Sequence, residues 1–162
     1  MKEVSMNKDM KLSEHFTLGE LTKTSYKTED GNIPSRVAIE NLKNLCENWL
    51  EDLRYSYNTL YPRDGPQKEM PLAVNSGYRS PEVNKRAGGS ATSNHLTGCA
   101  VDIRVSGFEQ AIRYASILLD ISDGTKRDFD ELFIEKNSSG RYWIHFAVRP
   151  KDNRRKMNFI KV

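Results

Sequence analysis

The stretch SNHLTGCAVDI, residues 93–103, passes from a polar loop into an apolar strand. Neighbouring side chains of a strand point to opposite faces, so Asp102 faces away from its two apolar neighbours. Because an unpaired buried carboxylate is costly, Asp102 must meet water, a cation or a hydrogen-bond network. Gly98 allows a turn that brings His95 and Asp102 together. The stretch therefore predicts a polar site on one face of a small sheet.

A second histidine lies inside another apolar strand, YWIHFAV at residues 142–148, with His145 at its centre. The chain has 3 histidines, so two of them in such settings point to a shared role. Two imidazoles and one carboxylate leave one position of a tetrahedral zinc open, as catalytic zinc sites do. The spacing alone leaves two interpretations. Either His95, Asp102 and His145 hold a catalytic zinc, or the histidines are hydrogen-bonded core residues and the aspartate is in an ion pair.

Periodicity and turn signals outward from these stretches predict an α+β fold. We expect a single domain with a small antiparallel sheet, helices packed around it and the metal site on the sheet. The predicted helices are a short one within 12–21, a long one from 34 to about 55, a short one from 81 and an amphipathic one at 108–120; the predicted strands are 72–74, 100–105, 131–136 and 141–148. Residues 1–11 are expected to be a flexible N-terminal segment, 12–150 the domain, and 151–162 a basic C-terminal tail.

The composition narrows the class of protein. The chain has 162 residues, 37% hydrophobic and 29% charged, which is typical of one soluble domain. No apolar run approaches the roughly 18 residues of a membrane span, so no membrane partner is expected. The net charge of +3 comes without a nucleic-acid motif, so no nucleic-acid partner is expected either. Cys46 and Cys99 match no CxxC pattern and are predicted to be buried, reduced thiols.

The N-terminus has no apolar core of a signal peptide. We therefore expect a protein that is cytoplasmic as synthesised, with lysis from within as one route by which it could leave a cell. We also expect a monomer.

Four motifs in order resemble the peptidase M15 family, which holds D-alanyl-D-alanine carboxypeptidases, dipeptidases and phage peptidoglycan peptidases. They are HFTLxEL at 15–21, SGYRS at 76–80, SxHxxGxAxD at 93–102 and WxH at 143–145. The first is similar to the phage-type, endolysin-like branch. The likeness runs from about residue 12 to residue 148.

The resemblance implies roles for single residues. His95, Asp102 and His145 would hold zinc. Arg79 would face the scissile carbonyl and stabilise the oxyanion, with a structural ion pair as the alternative. Ser93 and Tyr78 would bind substrate; for Ser93 the alternative is a hydrogen bond within its loop.

The general base departs from the usual family pattern. Many relatives carry an acid three residues before the last histidine, where this chain has Tyr142. In the phage-type branch an acid on the preceding hairpin strand takes this role. Glu135 fits it if the hairpin leaves Glu135 opposite Arg141, on the same face as His145; a register change of one residue would turn it away. Asp130 and Asp128 are the reserve candidates.

The function implied by these residues is that of a zinc metallopeptidase. It would hydrolyse peptidoglycan stem or cross-link peptides, as a carboxypeptidase or an endopeptidase, with zinc-bound water activated by a carboxylate. The alternative is a catalytically inactive, zinc-bearing M15-like module that binds the cell wall.

Overall fold

A computed structural model describes residues 6–65 and 69–162 and contains both strands and helices. The strands are β1 (Lys11–Ser13), β2 (Phe16–Thr17), β3 (Val74–Ser76), β4 (Ala100–Arg104), β5 (Glu131–Lys136), β6 (Tyr142–Ala147) and β7 (Lys156–Lys161). The helices are α1 (Leu18–Leu21), α2 (Arg36–Leu45), α3 (Glu51–Leu60), α4 (Pro81–Arg86) and α5 (Phe108–Thr125). In the described residues, no helix is long and apolar enough to cross a membrane.

The larger sheet has the strand order β3-β4-β6-β5-β7, and the smaller one pairs β1 with β2. The predicted α+β class with a single domain is confirmed. All pairings of the larger sheet are antiparallel except that of β5 with β7, which is parallel. The sheet is therefore mixed, whereas the sequence predicted an antiparallel one.

The strand β7 lies in the segment that was predicted to be a basic tail. Residues 148–155 leave β6, cross the beginning of β5 and place β7 on the far side of that strand. Asp130, just before β5, fastens this crossing through Arg149 Nε at 3.2 Å and Arg154 Nη2 at 2.9 Å. Arg149 and Arg154 thus form ion pairs that hold the last strand against the sheet.

Part of the N-terminal segment contacts the rest of the domain. Lys11 belongs to β1, and Met6 packs against the hydrophobic core. Residues 1–5 of the predicted flexible segment lie outside the described residues.

One long helical stretch covers a face of the core. The predicted helix runs from Arg36 to Leu60 as α2, a π-helical turn at Cys46–Leu50, and α3. Ser35 begins it by accepting a hydrogen bond from the backbone N–H of Ala38 at 3.1 Å. Trp49 in the π-helical turn packs against Phe146 of β6, with ring centres 5.1 Å apart. The predicted burial of both cysteines as free thiols is confirmed.

Candidate metal centre

His95, Asp102 and His145 converge on one face of the larger sheet, called the site face below. Asp102 and His145 are direct partners in the β4–β6 register. His95 lies in a 3-10 turn, Asn94–Thr97, that leads into β4. Asp102 Oδ1 lies 3.4 Å from His95 Nε2 and 3.3 Å from His145 Nδ1. All three residues are buried, and one ligand atom from each lies within 4.8 Å of the other two.

The spacing of these atoms fits a metal ion. Around a tetrahedral ion with nitrogen and oxygen ligands at about 2.0–2.1 Å, neighbouring ligand atoms are roughly 3.3 Å apart. The 3.3 and 3.4 Å separations from Asp102 Oδ1 agree with this value. They are longer than the usual N–H···O hydrogen bond of about 2.9 Å. The residues therefore have both the donor chemistry and the spacing of a metal site.

The ring of His95 is oriented by the backbone of the SGYRS motif. His95 Nδ1 lies 2.6 Å from the carbonyl oxygen of Gly77, which can only accept, so Nδ1 carries the proton and Nε2 is left for a metal. The backbone approaches so closely here that a Cβ on Gly77 would lie 2.2 Å from the carbonyl oxygen of Leu21. A glycine at this position is therefore a condition for the ring orientation.

The turn into β4 also depends on a glycine. Gly98 has φ +73°, in the left-handed region, and a Cβ there would lie 2.4 Å from the carbonyl oxygen of Ala38. The sequence prediction that Gly98 allows the turn between His95 and Asp102 agrees with this geometry.

Glu131 orients the other imidazole, a role that was not predicted from the sequence. Its Oε1 lies 3.1 Å from His145 Nε2, which leaves Nδ1 of the ring facing Asp102. Asn94 Nδ2 donates to the same oxygen at 2.6 Å, and Arg154 Nη2 lies 3.5 Å from Oε2. Outer carboxylates of this kind fix the orientation and raise the basicity of a metal-binding histidine. The signal was present in the sequence, because Glu131 and Glu135 share a face of the same strand.

The charges at the centre stabilise one another. Burial opposes ionisation of Asp102, but the charges and hydrogen bonds of His95 and His145 outweigh it and hold its pKa well below the usual range. Burial also lowers the pKa of His145, but hydrogen bonds to Asp102 and Glu131 raise it to about 9. A metal ligand must be a neutral imidazole, so metal binding would release this proton.

Arg79 contacts the centre through Asp102. Its Nε donates to Ser76 Oγ at 3.1 Å, and its Nη2 donates to Asp102 Oδ2 at 3.2 Å. Asp102 thus faces the histidines with one oxygen and the guanidinium with the other. The ion pair that was the alternative reading of Arg79 is present, and the same side chain lines the open cleft over the centre.

Glu135 lies on the site face, although the register of the β5–β6 hairpin differs from the predicted one. It is opposite Trp143, not Arg141, and this difference of two residues leaves the face unchanged. The indole Nε1 of Trp143 donates a hydrogen bond to Glu135 Oε2. Burial and the nearby charge of Asp102 raise the pKa of Glu135 above its usual value. A carboxylate with a raised pKa in the cleft is well suited to accept a proton.

The two predicted substrate-binding residues differ in position. Ser93 lines the cleft, and its Oγ accepts a hydrogen bond from the backbone N–H of His95 at 3.2 Å. Tyr78 packs in the hydrophobic core and does not line the cleft. Its backbone N–H donates to the carbonyl of Leu21 at 2.8 Å, which fixes this strand end against the N-terminal part of the chain. The structure therefore does not bring Tyr78 to the site.

The two reserve candidates for the base do not face the centre. Asp130 has no exposed surface and is engaged by Arg154, Arg149 and Asn94. Asp128 is largely exposed and pairs with Arg155 at 3.1 Å. Neither lines the cleft, so Glu135 is the acid among the three that can reach it.

The cleft over the centre has a volume of about 370 Å³. Its floor is formed by the three candidate ligands with Phe133 and the two glutamates of β5. Polar residues of the loop before β4 form one wall, and basic side chains surround it: Arg79, Arg149, Arg154 and Lys156. An open, polar cleft of this kind suits a peptide better than a small apolar ligand.

Comparison with known proteins gives one finding that bears on this geometry. A family model described as Peptidase M15 matches residues 14–123, which is more than half of the chain. The matched range contains Arg79, His95 and Asp102, and it ends before β5, β6 and β7. Among curated proteins, no relative matches the chain.

Proposed function

This chain belongs to the peptidase M15 family, and we propose that it is a zinc metallopeptidase that hydrolyses peptide bonds in peptidoglycan stem or cross-link peptides. The observation that carries the proposal is the convergence of His95 Nε2, Asp102 Oδ1 and His145 Nδ1 below an open cleft. Arg79 and Glu135 line the same cleft. A peptide lying in it would meet a metal, a cation and a proton acceptor together.

The metal would be held by the two histidines and Asp102. A bound zinc ion supplies Lewis-acid activation of water and of the scissile carbonyl. Glu131 keeps the ring of His145 in the binding orientation, and the carbonyl of Gly77 does the same for His95. These contacts organise the site before substrate arrives.

Glu135 is the proton carrier of the proposed mechanism. Trp143 holds its Oε2, and in the described part of the chain Oε1 accepts no hydrogen bond. Oε1 would take a proton from the attacking water and pass it to the leaving amine. The raised pKa of Glu135 lets the carboxyl hold that proton long enough for transfer.

Arg79 is the proposed oxyanion donor. Its Nε and Nη2 are held by Ser76 and Asp102, while Nη1 makes no hydrogen bond to any residue in the described ranges. Nη1 would donate to the carbonyl oxygen as negative charge develops there. A donor held in place in this way costs little reorganisation during the reaction.

The test is mass spectrometry of purified peptidoglycan digested with zinc-loaded protein, compared across three variants. Glu135→Gln should keep zinc and lose about two to four orders of magnitude in rate, because glutamine cannot accept the proton. Glu131→Gln is the matched control on the same strand and face, and should instead weaken zinc binding. His145→Ala should lose most of the roughly one equivalent of zinc that the wild type carries.

The outcomes separate the candidates. New peptide ends in the wild-type digest would identify the bond that is cleaved. A zinc-loaded wild type that binds the wall and releases no peptide would instead support the inactive binding module, which Tyr142 at the usual position of the acid favours. Full activity of Glu135→Gln would show that another group carries the proton.

A further inference from the structure

The strand β7 extends the site face beyond the metal centre. One row of directly paired residues crosses the sheet from Asp102 through His145 and Phe133 to Asn158. Partners directly opposite in a sheet point to the same face. Asn158 therefore lies on the site face, and so does Lys156, two residues before it. The family model ends at residue 123, so nothing in that match describes this strand.

Side-chain contacts agree with this alternation. The ring of Phe133 stacks on His145, with centres 5.3 Å apart and planes 18° from parallel. Lys156 Nζ lies 6.0 Å from the centre of the Phe133 ring. On the opposite face of the sheet, Phe159 contacts Phe108 of α5, with ring centres 6.1 Å apart. Lys156 is thus the residue of β7 that lines the cleft.

Lys156 differs from the other cations around the cleft in its partners. Arg79 is paired with Asp102, while Arg149 and Arg154 are paired with Asp130. Within residues 6–65 and 69–162, Lys156 forms no ion pair. The Glu131 carboxylate opposite it in the register is already engaged by Asn94, His145 and Arg154. The ammonium of Lys156 therefore remains available to a ligand in the cleft.

We propose that Lys156 binds a substrate carboxylate on the leaving-amine side of the scissile bond, so that β7 makes the enzyme selective for acidic peptides; this rests on the proposed peptidase function. The leaving-amine side is inferred from the order of the strands across the sheet. Arg79 is bound to β3 and β4 at one end of the row, and Glu135 on β5 lies between His145 and β7. With its carbonyl at Arg79 and its leaving amine at Glu135, the substrate would continue over β7, and Lys156 would reach it from the Glu131 end of that strand.

The substrate probe is the stem peptide L-alanyl-γ-D-glutamyl-L-lysyl-D-alanyl-D-alanine. One analogue has its C-terminal carboxylate amidated, and a second has the free D-glutamyl carboxylate amidated. Wild type should lose about fivefold in kcat/KM with one of the two, the scale of an exposed ion pair. The analogue that is impaired tells whether the carboxylate is terminal or belongs to the glutamyl residue.

Three variants test whether Lys156 causes the difference in kcat/KM between the acid and the amide. Lys156→Ala should cleave the acid and the amide equally, and Lys156→Glu should prefer the amide. Lys161→Ala is the matched control, because it removes the same charge from the same strand on the opposite face and should keep the wild-type preference. Equal loss in Lys161→Ala and Lys156→Ala would overturn the proposal, since long-range attraction by net charge would then explain the preference. Equal cleavage of all three peptides by wild type would overturn it as well.

A binding measurement keeps the two proposals separate. Titration calorimetry with the acidic peptide and its amides on the inactive Glu135→Gln protein should show weaker binding after amidation, and Lys156→Ala in that background should abolish the difference. If no peptide is cleaved by wild type, the proposed function fails, and this titration still decides the role of Lys156. Unchanged affinity on amidation would refute it.

Discussion

Replacement of Asp130 by Asn tests whether this acid holds the fold or carries protons. Its buried carboxylate accepts hydrogen bonds from Arg154 Nε at 3.0 Å and from the backbone N–H of Arg154 at 3.1 Å, and Asn94 Nδ2 donates to it at 2.8 Å. Burial opposes its ionisation, but the hydrogen bonds of Arg154 and Asn94 outweigh it and lower its pKa to about 2. The contacts anchor the segment that carries β7, so their loss should appear as lost stability.

The magnitude follows from the pKa difference between the folded and unfolded states. An aspartate has a pKa of about 3.9 in the unfolded chain, and each pKa unit corresponds to about 1.4 kcal/mol. The difference gives Asp130 a contribution of about 2–3 kcal/mol to the free energy of unfolding. The folded pKa is the lower one, so this stability is complete above about pH 4 and is lost as the pH falls toward 2.

Urea unfolding followed by tryptophan fluorescence from pH 7 to pH 3 measures the effect. Asp130→Asn should be about 2–3 kcal/mol less stable than wild type at pH 7, and the difference should shrink at the acid end. Asp128→Asn is the control, because Asp128 forms an exposed ion pair worth at most about 1 kcal/mol. An Asp130→Asn protein with wild-type stability and no turnover would refute the structural role and would make Asp130 the base.

Three further predictions concern the site and its support. Arg79→Ala should reduce turnover of the zinc-saturated protein by about 100-fold, measured as initial rates on peptidoglycan, and unchanged rates would rule out the oxyanion role. Because the pKa of metal-free His145 is about 9, zinc affinity should rise about tenfold per pH unit between pH 6 and 8. Calorimetry in buffers of different ionisation heat should detect about one proton released on zinc binding, and the release of no proton would contradict this prediction. Gly98→Ala should lower the unfolding free energy by at least about 2 kcal/mol, because of backbone strain and the close contact with the carbonyl of Ala38. Gly124→Ala, whose added Cβ meets no atom within 4 Å, should be neutral or stabilising. Equal shifts of the melting temperature in the two variants would contradict the role of Gly98 in the turn.

The polar cluster of His95, Asp102 and His145 could be predicted from sequence, because each of its signals is local and the family resemblance joins them. A histidine or an aspartate inside an apolar strand needs a partner, and strand alternation tells which residues share its face. The face of Glu135 was predicted for the same reason, since alternation survives a register difference of two residues. The buried position of Tyr78 could not be predicted, because the motif alone does not show that its backbone N–H is bound to the carbonyl of Leu21. That contact joins segments more than fifty residues apart.

The strand β7 could not be predicted from its own composition. Its residues are mostly exposed and include two lysines, so it lacks the apolar alternation that marks a strand. Its position is decided by backbone pairing to β5 and by the ion pairs of Asp130 with the crossing segment. The same sequence without that anchor is indistinguishable from a solvated tail.

The edge position of β7 has a consequence for protein engineering. Lys156 and Asn158 are exposed and Ile160 is half-buried, so substitutions at these three positions leave the hydrophobic core and the metal ligands untouched. Exchanges at such surface positions usually change stability by no more than about 0.5 kcal/mol. A combinatorial library at 156, 158 and 160 could therefore diversify substrate preference while most members still fold and bind metal. This exposed edge next to the cleft is therefore a suitable place to begin directed evolution.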